Sequence, residues 1–164
     1  GGSGGGSGSG AGPGGEARPV SVAAIKTPAK PKGDFDYFDA GMDLLGESGG
    51  AVQTLNRMVP WTFDGERALS ARLTGGPYSD FNVMTRRGRW RADVRVLHGA
   101  AAVASGHVTL LLAVEGAWQV GKEPIEPMQA LLWHGLEAPI AVGPRSQGTA
   151  SALIHVRLCH DPFR

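Results

Sequence analysis

The 164-residue sequence is 41% apolar, 7% aromatic and 19% charged, with 26 Gly, 11 Pro, one Cys and a formal net charge of +1. No apolar run approaches the roughly 20 residues that a membrane-crossing helix needs, and no secretory apolar core is legible at the start. The single Cys159 excludes an internal disulfide and any Cys-based zinc cluster; it reads as a small apolar residue near a strand end, in a reducing, cytoplasmic setting.

Composition divides the chain. Residues 1–33 hold 11 of the 26 Gly and 4 of the 11 Pro, with four bases (Arg18, Lys26, Lys30, Lys32) against one acid, Glu16. Such a stretch buries too little apolar surface to offset its ordering entropy, so 1–34 is expected to be a disordered lead. About 130 residues remain, enough for one domain with its own core. That body carries 12 bases and 14 acids, a balance that does not suggest a polyanion partner.

Period-two alternation and β-branched content predict strands at Val52–Asn56, Ala68–Leu73, Trp90–Leu97, Val108–Val114, Ala130–Trp133, Ile140–Val142 and Ser151–Leu158. Turn chemistry separates them, as at Gly49-Gly50, Asp64-Gly65, Gly75-Gly76-Pro77, Glu115-Gly116 and Gly143-Pro144. No window keeps a helical apolar stripe for three turns without Gly or Pro. Trp90, Ala92, Val94 and Val96 alternate with Arg91, Asp93 and Arg95, which predicts one face on a core and one in water. Val108–Val114 is apolar on both sides except for Thr109, as suits a central strand. Short strands joined by Gly-rich turns indicate an all-β sandwich or barrel.

The segment Leu73–Arg91 carries a signature: Gly75, Gly76, Pro77, Asp80, Phe81, Asn82, Met84, Arg86, Arg87 and Gly88 spell G-G-P-x-x-D-F-N-x-M-x-R-R-G. With Phe63-Asp64-Gly65-Glu66 upstream, Ala40–Leu44 before it, and Leu111–Gly116 and Met128–Trp133 downstream, it resembles the HutD/Ves family over roughly Ala40 to Cys159. The resemblance implies an RmlC-like cupin jelly-roll barrel with a partial second cupin module. Members of the family carry two cupin modules and open on a P-W-x-N-G-G-G-x-T-type segment, which has no counterpart here. The expected organisation is therefore a remnant of the first module over 35–60 and the second module over 61–164, the result of truncation, fusion or a wrong start site. An apolar face left without its partner module predicts self-association.

Two readings stand for Asp80, Asn82, Arg86 and Arg87. In one, Asp80 and Asn82 bond the backbone after the Gly-Gly-Pro turn and an Arg pairs with Asp80, as a structural clasp. In the other, one Arg with Asn82 holds a carboxylate ligand through its two-pronged donor. The resemblance implies a histidine-degradation acid of the urocanate or formylglutamate type, held without catalysis in a regulatory role linked to histidine utilisation or stress response.

His155, inside an alternating strand, is the histidine expected to face a barrel interior. It would serve as base if the chain were instead a metal-independent cupin isomerase or lyase. A third reading is an inactive remnant. No H-x-H pair occurs among His98, His107, His134, His155 and His160, so neither a metal nor any other cofactor is expected. The Arg run from Arg86 to Arg95 reads as a solvated strand face and not as a nucleic-acid site, because Trp90 falls on the opposite face. Neither G-x-S-x-G nor a phosphate loop is present, and the four Trp read as packing residues.

Overall fold

The computed structural model describes residues 42–63, 65–74, 80–86 and 88–160, and the backbone alone of 19–22, 27–28 and 78–79. Every regular element among them is a strand. In chain order these are β1 (Pro19–Val22), β2 (Thr27–Pro28), β3 (Met42–Leu45), β4 (Ala51–Leu55), β5 (Thr62–Phe63), β6 (Ser70–Leu73), β7 (Tyr78–Ser79) and β8 (Val83–Arg86). They continue with β9 (Trp90–Leu97), β10 (Ala101–Val103), β11 (Val108–Glu115), β12 (Trp118–Val120), β13 (Glu123–Ile125), β14 (Ala130–His134), β15 (Ile140–Pro144) and β16 (Ala152–His160). All pairings are antiparallel.

From Trp90 onward the strands build two four-stranded sheets, ordered β14-β11-β16-β9 and β10-β15-β12-β13. Leu111, Ala113 and Leu153 from the first meet Val103, Trp118, Val120, Ile125 and Val142 from the second in one buried core. Trp118 is fully buried, and its indole Nε1–H donates to the Glu115 carbonyl at 3.0 Å, so the ring brings no orphan donor inside. Among the described residues side-chain packing and the Trp118–Glu115 hydrogen bond hold the two sheets together, with no ladder pairing between them. Their edge strands do not pair with one another, so the sandwich is open and not the closed barrel that the jelly-roll expectation implied.

The other face of β14-β11-β16-β9 carries Ile154, Val156, Val94, Val96, Leu110 and Leu112, and Met58, Phe81 and Val83 pack upon it. The sheet therefore has apolar residues on both faces, and β11 lies in its interior, between β14 and β16, as its apolar run predicted. Arg91, Asp93 and Arg95 were expected on a solvated face. Arg91 and Arg95 are exposed, but that face looks inward across the sandwich: it continues into Leu97, which packs on the core, and Asp93 is half-buried.

Before Gly88 the strands form smaller sheets, β5-β1-β8, β4-β3-β6 and β2-β7. Leu44 and Leu55 gather Met42, Trp61 and Leu69 into a third cluster. On the far side of β3, Asp43 stands opposite Thr54 and Arg72. It accepts a hydrogen bond from each at 2.8 Å. The sequence boundary at Trp61 differs from the sheet pairing: β5 to β8 pair with β1 to β3, and the two large sheets begin at β9. Strands β1 and β2 fall within the segment read as a disordered lead; the rest of 1–34 lies outside the described residues.

Candidate functional site

Strand β8 sends successive side chains to opposite sides, and the same alternation of burial begins before it, at Asp80. The odd positions point inward: Phe81 and Val83 pack against the β16 face, and Thr85 is buried. The even positions, Asp80, Asn82, Met84 and Arg86, are all exposed and form one row. Asn82 Nδ2 donates to Asp80 Oδ2 at 2.7 Å. Backbone pairing of β8 with β1, Met84 opposite Ser21 and Arg86 opposite Pro19, fixes the row in the sheet. A turn closes behind it, where Arg89 N–H donates to the Arg86 carbonyl and Gly88 takes φ +70°, a conformation that suits glycine.

Among the described residues no ion pair joins Arg86 to Asp80, and the Arg86 guanidinium has no side-chain partner. The clasp reading expected Asp80 and Asn82 to bond backbone and an Arg to pair with Asp80; here the two side chains bond each other and Arg86 faces solvent. Arg87 and the Gly75–Pro77 turn lie outside the described residues.

His155 is not brought to this row. It lies on the face of β16 that looks into the two-sheet core, 5% exposed, with Nε2 3.2 Å from the Ala104 carbonyl oxygen. Phe81 and Val83 pack on the opposite face of the same sheet. Burial pushes the imidazole pKa down; the Ala104 carbonyl and Asp93 oppose that push, while Arg157 and Arg95 add to it.

Comparison with known proteins places the chain. The HutD family model matches residues 39–152. The chain belongs to the HutD family. Among curated relatives, this HutD-family chain is 42% identical over 93 residues to protein Ves of Cronobacter sakazakii, covering 56% of the chain and 50% of the relative. It is 30% identical over 126 residues to protein Ves of Escherichia fergusonii, covering 70% and 64%. The chain thus spans about half the length of the Cronobacter relative and under two thirds of the Escherichia one. Among solved structures, HutD from Pseudomonas fluorescens SBW25 (formate condition) superposes with a TM-score of 0.62 at 19% identity, over 88% of this chain and 69% of that one. A conserved protein of unknown function from Pseudomonas aeruginosa PAO1 gives a TM-score of 0.64 at 17% identity, over 88% and 73%. The cupin-like, all-β fold is common to them.

Two further features of the HutD-family chain went unread in its sequence. A polar surface depression lies between the β3–β4 turn (Gly46, Glu47, Ser48) and the loop Glu66–Ala68. On the inner sandwich face, Asp93 holds Arg157 and Arg95 at 3.1 and 3.2 Å. A hint of its core-directed face lay in the leucines at one end of each odd-numbered row, Leu97 closing that of β9 and Leu153 opening that of β16. No group of three or more potential metal ligands occurs among the described residues.

Proposed function

We propose that this HutD-family protein binds a small carboxylate without transforming it, in a cytoplasmic regulatory role linked to histidine utilisation or stress response. The observation that carries the proposal is the Arg86 guanidinium: exposed, unpaired among the described residues, and on the same face as Asn82. A guanidinium offers two parallel N–H donors that match a carboxylate. Asn82 and Arg86 are four residues apart, about 13 Å at the usual strand rise, and the long Arg side chain spans much of that gap. Met84 stands between them, 66% exposed, and supplies an adaptable apolar floor. The row therefore suits an acid with a flat or apolar body and a second polar end, which describes urocanate and formylglutamate better than formate.

Calorimetric titration with urocanate, N-formylglutamate and formate tests the proposal. Binding by one of the two larger acids is expected, lost in Arg86→Ala and weakened in Asn82→Ala. Equal affinity in the wild type and Arg86→Ala, or turnover of either acid, would overturn it.

A further inference from the structure

The inner face of the β14-β11-β16-β9 sheet changes character along its length. Leu97 and Leu153 face each other across β9 and β16 inside the core. Further along the same rows come the pairs Arg95 with His155, Asp93 with Arg157, and Arg91 with Cys159. Same-face neighbours on a strand lie roughly 7 Å apart and adjacent strands about 4.8 Å, so Arg95 and Arg157 flank Asp93 closely. Arg91 stands about 14 Å from Arg95 at the backbone and reaches the patch only through its long side chain. Three positive charges against one leave an excess of two.

Asp93 preorganises this patch. Its Oδ2 accepts from Arg157 Nη2 at 3.1 Å, and its Oδ1 accepts from Arg95 Nε at 3.4 Å, with Arg95 Nη2 ion-paired to Oδ2 at 3.2 Å. Each guanidinium has five N–H donors, so most stay available. Arg157 is itself half-buried, and one wall of the patch is built tightly against it. A Cβ at Gly106 would lie 2.5 Å from Arg157 Cγ, so the loop beside it follows the Arg157 stem. Thr109, fully buried on the same face, fastens that loop by accepting from Gly106 N–H at 3.1 Å.

We propose that Arg91, Arg95 and Arg157 form a second binding site, on the inner face of the sandwich, for a small doubly charged oxyanion: a phosphate ester or a dicarboxylate. Because Asp93 already orients two of the forks, an incoming oxyanion meets donors whose ordering cost is largely met. Fork-to-oxyanion bonds of this kind are charge-assisted and short. The site is independent of the Arg86 row, since the sheet itself lies between them.

Titration with inorganic phosphate and, separately, with succinate tests the inference, read by calorimetry and by the Nε–Hε resonances of the arginines. At least one anion binds, shifts the Arg95 and Arg157 resonances, and binds at least tenfold more weakly to Arg157→Gln and Arg95→Gln. Arg95 is largely exposed, so its substitution leaves the fold intact. Arg145→Gln, which removes a guanidinium paired with Glu126 elsewhere, retains the affinity. Phosphate binding alone assigns a phosphate ester, and succinate binding alone a dicarboxylate. Absence of binding by both, or undiminished affinity in Arg95→Gln, would overturn the site.

Discussion

His155 and Ala104 are joined across the inner face of the sandwich, the imidazole Nε2 lying 3.2 Å from the carbonyl oxygen. Burial opposes protonation of this ring, with Arg157 and Arg95 adding to it, while the Ala104 carbonyl and Asp93 favour it; burial prevails and the imidazole pKa is lowered. An unfolded chain takes its proton at the ordinary histidine value, near pH 6.5, before the folded one does. Over the window from about pH 6.5 down to the lowered folded value, the unfolded state binds more protons, so stability falls as pH falls; above the window the group is silent. Urea midpoints at about pH 7.5 and pH 5.5 should show this loss, and His155→Gln should flatten it. Asp43 acts in a separate range: bonds from Arg72 and Thr54 hold its carboxyl below the usual value. Its contribution persists above the ordinary carboxylate range and disappears only in stronger acid.

Gly106 is required by close approach. A methyl group there would meet Arg157 Cγ at 2.5 Å and the Leu158 carbonyl oxygen at 2.9 Å, and the second of these is backbone that cannot swing aside. Gly106→Ala should therefore cost about 1–3 kcal/mol, the usual range for forced overpacking. Gly99 serves as the control, because a methyl group there would meet nothing within 4 Å and its φ is not left-handed. Gly99→Ala should leave the chemical-denaturation midpoint unchanged.

Most strands read from sequence were long enough to show a period, although Ile140–Val142 was read on three residues and Met42–Leu45 and Val83–Arg86 went unread. Trp90–Leu97 emerged with its bounds intact, and Val108–Glu115 and Ala152–His160 each lie within a residue or two of expectation. Thr62–Phe63, Trp118–Val120 and Glu123–Ile125 were invisible because two or three residues cannot display alternation; they exist through partners supplied from elsewhere in the chain. The same reasoning separates the two sites. Asp80, Asn82 and Arg86 are neighbours in sequence, so a motif and one run of alternation put them on one row. Asp93 and Arg157 are 64 residues apart and meet only because β9 pairs with β16. No local pattern encodes that register.

Trp118 should dominate the energetics of the two-sheet core. It is fully buried among Val120, Ile125, Val142 and Leu153, and its indole N–H satisfies the Glu115 carbonyl. Trp118→Ala leaves a cavity and removes that carbonyl's side-chain donor, which together should cost about 3–5 kcal/mol. Trp118→Phe keeps most of the volume and should cost less. Denaturation followed by far-ultraviolet dichroism separates the two variants without relying on the tryptophan signal being removed.

Self-association is the outcome expected where apolar surface and an open sheet edge coincide, and Leu132 sits at that coincidence. Strand β14 pairs on one side only, with β11, so its other edge offers unpaired backbone groups among the described residues. Leu132 is 54% exposed there, beside half-buried Leu110 and Leu112 on the same face. A second copy aligned along β14 would satisfy the backbone edge and cover the leucine together. Leu132→Lys places a charge where such an edge would join, while adding nothing to the core. Light scattering across a concentration series should show association in the parent chain and a shift toward monomer in Leu132→Lys. A parent chain that stays monomeric throughout would remove the need for any such contact.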